Sequence, residues 1–79
     1  MNITEKVKKI LMEISDTPKI ELNTDLRSDL LFDSLLMVTL LIEIEAEFNI
    51  ELNESDMDPF KLKTVQNVID MISKYTSEY

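Results

Sequence analysis

Seventy-nine residues with no glycine, no cysteine and no histidine make one domain, 1–79, without a disulfide framework, a thiolate or imidazole metal site, or a Gly-rich phosphate loop. The commonest general base is missing and no Ser-His-Asp or Cys-His set can be assembled, so the composition argues against an enzyme. Sixteen acidic against eight basic residues leave a formal net charge of −8, which repels nucleic acid and anionic membrane surfaces and favours basic partners.

The first helix is expected from Asn2 to about Ser15. Asn2 can cap it, with Glu5 three residues on as in a capping box. Ile3, Val7, Ile10, Leu11 and Ile14 recur at three- and four-residue spacing and form one apolar stripe. The interleaved lysines leave no continuous apolar stretch of the signal-peptide kind. The longest near-apolar run, Leu35 to Ile42, is well short of the roughly 18 residues that span a bilayer. These features predict a soluble cytoplasmic protein with no membrane insertion.

Asp16-Thr17-Pro18 should end the helix, because proline disfavours the helical conformation in the residue before it. Residues 16–33 then form a long connection. A structureless loop of that length is unusual in a compact domain. Ile20, Leu22, Leu26, Leu30 and Phe32 are therefore expected to hold it across the core, with local turns at Asn23-Thr24-Asp25 and near Ser28–Leu31.

The second helix is expected from Ser34 to about Phe48. Leu35, Val38, Leu41 and Ile42 follow one face and Leu40, Ile44 and Phe48 another, a pattern that predicts burial over a wide arc. Glu43, Glu47 and Thr39 mark the solvent side, and Leu36 and Met37, beside Ser34, are expected to be exposed. Ser55 with Asp58, followed by Pro59, predicts a short third helix at about 56–61, pinned by Phe60 and Leu62. Thr64 should cap the last helix, which buries Val65, Val68, Ile69 and Ile72 and runs to about Tyr75. No stretch alternates as a strand would. The fold class is all-α: a four-helix bundle of three longer helices and one short one, with a long first loop.

The chemistry centres on Asp33-Ser34-Leu35. Asp33 is a good helix N-cap, since its carboxylate can accept from an unpaired first-turn N–H. Ser34 then places a small primary hydroxyl in the first turn. A helix start carries partial positive charge and spare donors, so an anionic group attached there is favoured. A serine in this position usually just helps the cap, but Asp33 already fills that role. The carboxylate pair Glu43 and Glu47 reads as solvated charge on an exposed face, and Asp56 and Asp58 lack the glycine and glutamate spacing of a calcium loop.

Asp29-Leu30-Leu31-Phe32-Asp33-Ser34-Leu35, followed by Val38, Leu41, Ile42 and Glu43-Ile44-Glu45-Ala46-Glu47-Phe48-Asn49-Ile50, resembles the carrier-protein family of acyl, peptidyl and D-alanyl carriers. The resemblance runs from the first helix to Ile72. It implies an acyl-carrier-like bundle with 4′-phosphopantetheine, drawn from coenzyme A, on Ser34, and with Asp33 as both cap and recognition element. It implies a non-catalytic carrier that holds acyl or aminoacyl groups as thioesters. The implied partners are a phosphopantetheinyl transferase, a loading ligase, and a synthase, transferase or thioesterase, each meeting a monomer.

The partner face is expected at the first turns of the second helix and the adjoining loops: Leu35, Leu36 and Met37, with Glu43, Glu47 and Asp56 as acidic elements. Fatty-acid carriers place acidic residues just after the serine. Leu36, Met37 and Thr39 stand there instead, a pattern closer to peptidyl, aminoacyl or polyketide carriers. Leu31 replaces the glycine that many members have two residues before the aspartate, and its bulk argues against the usual loop conformation. The alternative reading is a small acidic helical interaction protein that binds a basic partner without a cofactor. It fits the charge equally well but gives no reason for Ser34 to follow Asp33.

Overall fold

A computed structural model describes residues 3–58 and 61–76. Three α-helices account for most of it: α1 (Ile3–Ser15), α2 (Ser34–Phe48) and α3 (Val65–Thr76). A 3-10 turn, Glu54–Asp56, lies between α2 and α3. Among the described residues there is no strand, only one isolated antiparallel bridge between Asp25 and Thr64.

The stripe of α1 buries Ile3, Val7, Ile10 and Leu11, and Ile14 packs against its edge. The helix ends at Ser15, as the sequence predicts, but Asp16 rather than Pro18 makes the stop. Asp16 takes a left-handed conformation (φ 57°) and its N–H donates to the Met12 carbonyl at 2.9 Å, which satisfies one of the carbonyls left over at the helix end. The expected Asn2 cap lies outside the described residues.

The long connection is an ordered trace. Ile20, Leu26, Leu30 and Phe32 are buried, whereas Leu22, expected in the core, is 42% exposed. Its backbone is stitched to the start of α3. The Leu26 N–H donates to the Lys63 carbonyl at 2.8 Å, and the N–H groups of Val65 and Gln66 donate to the carbonyls of Thr24 (3.1 Å) and Leu22 (2.9 Å). Two first-turn amides of α3 without intrahelical acceptors are thus satisfied by the loop. Leu22 is held there by its carbonyl, and its side chain is left in solvent. Asp25 closes the tightest bend: its Oδ1 accepts from the N–H groups of Arg27 (2.9 Å) and Ser28 (2.8 Å). The Asp29 carboxylate accepts in return from the Asp25 N–H at 2.8 Å. Those bonds hold the Asp25 carboxyl below its ordinary value of 3.8, the one from Ser28 first and the one from Arg27 next.

Helix α2 contributes one face to the core. Met37, Leu40, Leu41 and Ile44 are completely buried. The helix ends on Asn49, left-handed at φ 54°, whose N–H returns to the Glu45 carbonyl. Glu45 also accepts the Leu52 N–H at 2.8 Å through its carboxylate, which anchors the following loop. In α3 the cap is reciprocal: Thr64 Oγ1 accepts from the Asn67 N–H (3.3 Å), and Asn67 Oδ1 accepts from the N–H groups of Lys63 and Thr64 (3.1 Å each). Val65, Val68, Ile69, Met71 and Ile72 fill the core from this side.

The short helix expected at about 56–61 is described only in part. Pro59 and Phe60 lie outside the described residues. The 3-10 turn comes earlier, at Glu54–Asp56, and one further turn closes from the Lys61 N–H to the Asp58 carbonyl at 3.1 Å. Asp56 faces α3 instead of starting a helix. Its carboxylate accepts from the Tyr75 hydroxyl and pairs with Lys74 Nζ at 3.2 Å. The described architecture is therefore three α-helices and a 3-10 turn.

Candidate functional site

Ser34 opens α2 directly behind its cap. Asp33 has extended backbone angles (φ −94°, ψ −176°), and its Oδ1 accepts the Leu36 N–H at 2.9 Å. Its carbonyl accepts the Met37 N–H at 3.0 Å. The cap is complete without help from Ser34. The Ser34 side chain is exposed, and among the described residues nothing hydrogen-bonds its hydroxyl. The N–H groups of Ser34 and Leu35 have no intrahelical acceptor. A phosphate ester on Ser34 Oγ would sit at the positive end of a 15-residue helix. The charge around it is one-sided, with no lysine or arginine between Arg27 and Lys61. Replacing Asp33 by alanine should lower stability by about 1 kcal/mol through loss of the cap, read as a lower urea midpoint at unchanged slope.

Just before the cap the chain reverses at Leu31, whose φ is 58°. Leu30 and Phe32 on either side are buried while Leu31 is 77% exposed, and the Phe32 N–H closes the turn on the Leu26 carbonyl at 2.9 Å. Glycine would adopt this conformation freely. A leucine holds it at a cost of roughly 1–2 kcal/mol from crowding at Cβ. The bulk of Leu31 thus does not prevent a left-handed turn here.

The expected partner residues separate. Leu35 is 73% exposed beside Ser34. Leu36 packs partly against the core. Met37 is fully buried and offers nothing to a partner; its expected exposure is wrong because α2 turns the face of Met37, Leu40, Leu41 and Ile44 inward. Val38 and Ile42, expected in the buried arc, are instead 39% and 55% exposed. With Leu35 they form a stripe at i, i+3 and i+7. The spacing was visible in the sequence; which apolar face stays outside was not.

Glu43 is exposed on α2. Glu47 lies more than three turns from Ser34, where Lys6 Nζ approaches it to 3.5 Å and sits 5.3 Å from the Phe48 ring centroid. That corner borders a cleft of about 440 Å³, roughly 20 Å along α2 from Ser34 at 1.5 Å per residue.

Asp56 is occupied within its own chain. Tyr75 donates to one carboxylate oxygen and Lys74 to the other, and the Asn53 N–H donates to the Tyr75 hydroxyl at 3.1 Å. The hydroxyl of Tyr75, then Lys74, holds the Asp56 carboxyl below 3.8; the same bond, then burial, raises the Tyr75 phenol above 10.0. Asp56 and Asp25 contribute stability that is complete above pH 3.8 and lost as pH falls through their lower folded values. Tyr75 contributes stability that is complete below pH 10 and lost as pH rises through its higher folded value. Tyr75→Phe should cost about 1 kcal/mol near pH 7 and lessen both losses. Urea midpoints between pH 2 and 11 would show this, with parallel profiles for the two proteins as the contrary result.

The family model for the phosphopantetheine attachment site matches residues 3–72. The chain belongs to that family of carrier proteins. An acyl carrier protein of Buchnera aphidicola from Schizaphis graminum is 42% identical over 74 residues, with 91% of each chain covered. An acyl carrier protein of Solidesulfovibrio magneticus is 35% identical over 80 residues, covering 99% of this chain and all of the relative. A solved structure from Mycobacterium tuberculosis, described as a candidate acyl carrier protein, superposes with a TM-score of 0.82 at 31% identity, covering 92% of this carrier and 97% of that chain. The carrier is non-catalytic and its prosthetic group is phosphopantetheine, which sets aside a cofactor-free acidic protein. These relatives are acyl carriers and lend no support to a peptidyl or polyketide type. No helix among the described residues is long and apolar enough to cross a membrane.

Proposed function

We propose that Ser34 is the residue that bears 4′-phosphopantetheine and that this carrier presents acyl groups to biosynthetic enzymes. The observation that carries the assignment is an exposed, unbonded hydroxyl in the first turn of α2, behind a cap that does not use it. When bound, the prosthetic arm supplies a terminal thiol that holds an acyl group as a thioester. The protein's own residues orient and deliver it. Asp33 and the first turn of α2 fix the direction in which the ester leaves the surface. The exposed Leu35, Val38 and Ile42, with Glu43 beside them, offer an apolar stripe with an acidic edge to basic partner surfaces.

Loading is a group transfer. Ser34 Oγ forms a bond to the pantetheine-side phosphorus of coenzyme A, the pyrophosphate P–O bond breaks, adenosine 3′,5′-bisphosphate leaves, and the serine proton passes to a base on the transferase. The partners are this transferase, an acyl-loading ligase, and the enzymes that elongate, transfer or hydrolyse the thioester. The test is incubation with coenzyme A and a phosphopantetheinyl transferase of broad acceptor range, followed by intact mass and peptide mapping. A single phosphopantetheinyl addition on the peptide containing Ser34 is expected. An unchanged mass, or the addition on another residue, overturns the proposal.

A further inference from the structure

We infer that Leu31 is a recognition residue for the phosphopantetheinyl transferase, and that its strained conformation is tolerated because the side chain is read by that enzyme. The inference rests on Ser34 as the attachment site and goes beyond it.

Three described residues other than glycine have positive φ: Asp16, Leu31 and Asn49. Aspartate and asparagine tolerate the left-handed region through short polar side chains; leucine does not. Leu31 recovers nothing through burial, since most of its side chain is in solvent. The loop holds the turn through its backbone, where the Leu30 N–H donates to the Asp25 carbonyl at 3.2 Å and the Phe32 N–H to the Leu26 carbonyl at 2.9 Å. It does not require leucine at the turn. A strained residue that stabilises nothing inside the fold points to a role outside it.

Its place in the chain says where that role lies. Leu31 precedes Ser34 by three residues and Leu35 follows it by one, and both are exposed and apolar; Val38 and Ile42 continue the stripe of Leu35 along α2. Its flanks are Asp29, Asp33 and Glu43, with no cation in the intervening sequence. The complementary surface is an apolar depression with a basic rim. Among enzymes that act on a carrier, the transferase is the one whose reacting atom is Ser34 Oγ itself. It must close over the surface immediately around that oxygen. Enzymes that act on the thioester meet its far end, an arm's length from Leu31.

The experiment compares loading kinetics and stability for wild type, Leu31→Gly, Leu31→Asn and Leu31→Met, with one transferase that loads the wild type. Glycine and asparagine relieve the backbone and remove the apolar contact; methionine keeps the contact and the strain. Gly and Asn variants should be folded, at least as resistant to urea as wild type, and poorer substrates. Their KM for the apo-carrier should rise about tenfold with kcat changed less than twofold, as expected for loss of one apolar anchor. The Met variant should load as wild type does. Wild-type kinetics for both Gly and Asn overturn the inference. So does a defect in Gly alone, which would trace to loop flexibility rather than to the side chain. Failure of the wild type itself to load at Ser34 strikes the underlying assignment and is seen separately, in the first arm.

Discussion

Ser34→Ala should abolish phosphopantetheine incorporation while leaving the fold intact. The two halves of this outcome have separate physical causes. Alanine has no nucleophilic oxygen, and no other serine of the chain follows a capping aspartate at the mouth of a long helix. The fold should not register the change, because Ser34 is exposed and the cap runs from Asp33 to the Leu36 N–H. Alanine is also a better helix former than serine. The change in unfolding free energy should stay within about 0.5 kcal/mol, the range of ordinary surface substitutions. Intact mass after treatment with coenzyme A and the transferase reads the first half; a urea titration by circular dichroism reads the second. Residual loading of the alanine variant would mean that a different oxygen receives the arm.

Leu26→Ala should lower stability strongly. Leu26 is completely buried although it belongs to the connection between α1 and α2. Truncating a buried leucine removes about 2–5 kcal/mol. A chain of 79 residues has a total of roughly 4–12 kcal/mol at typical per-residue stability, so the variant should be partly unfolded at 37 °C or melt far below the wild type. The same residue also organises the backbone. Its N–H donates to the Lys63 carbonyl at 2.8 Å and its carbonyl accepts the Phe32 N–H at 2.9 Å. Loosening Leu26 therefore frees the turn that delivers Asp33. A stabilising ligand or low temperature that refolds the variant should restore loading at Ser34. A Leu26→Ala protein as stable as wild type would mean that the connection does not belong to the core.

Much of this molecule was legible from local signals. The bounds of α2, and the C-terminal bound of α1, followed from apolar periodicity and stop signals, and the Thr64 cap of α3 followed from its hydroxyl. The exposed Ser34 hydroxyl behind a complete cap was legible for the same reason: a cap, a hydroxyl and a helix start are neighbours in sequence. The faces of α2 were not. Apolar residues surround most of that helix, so no single stripe marks the inner side. Met37 was expected outside, and Val38 and Ile42 inside; each went the other way. Asp56 was placed on the partner face because Tyr75 and Lys74, which engage it within the chain, lie 19 and 18 residues away. The short helix was placed from a cap-and-proline pattern, and its Pro59 and Phe60 lie outside the described residues; a 3-10 turn ends on Asp56, which α3 engages.

Residue order by itself determined where the helices of this carrier begin or end, which oxygen stands uncommitted at the start of α2, and the sign of the charge around it. Those properties depend on atoms within one helical turn of each other, where spacing dictates contact. Only the tertiary structure decided which side of α2 meets solvent, how residues 16–33 lie against α3, and that Leu31 projects outward at a left-handed turn. Those depend on hydrogen bonds and packing between segments some forty residues apart, such as Leu26 with Lys63 and Leu22 with Gln66. Such pairings leave no periodic trace in the chain, because either partner alone is an ordinary loop or helix residue.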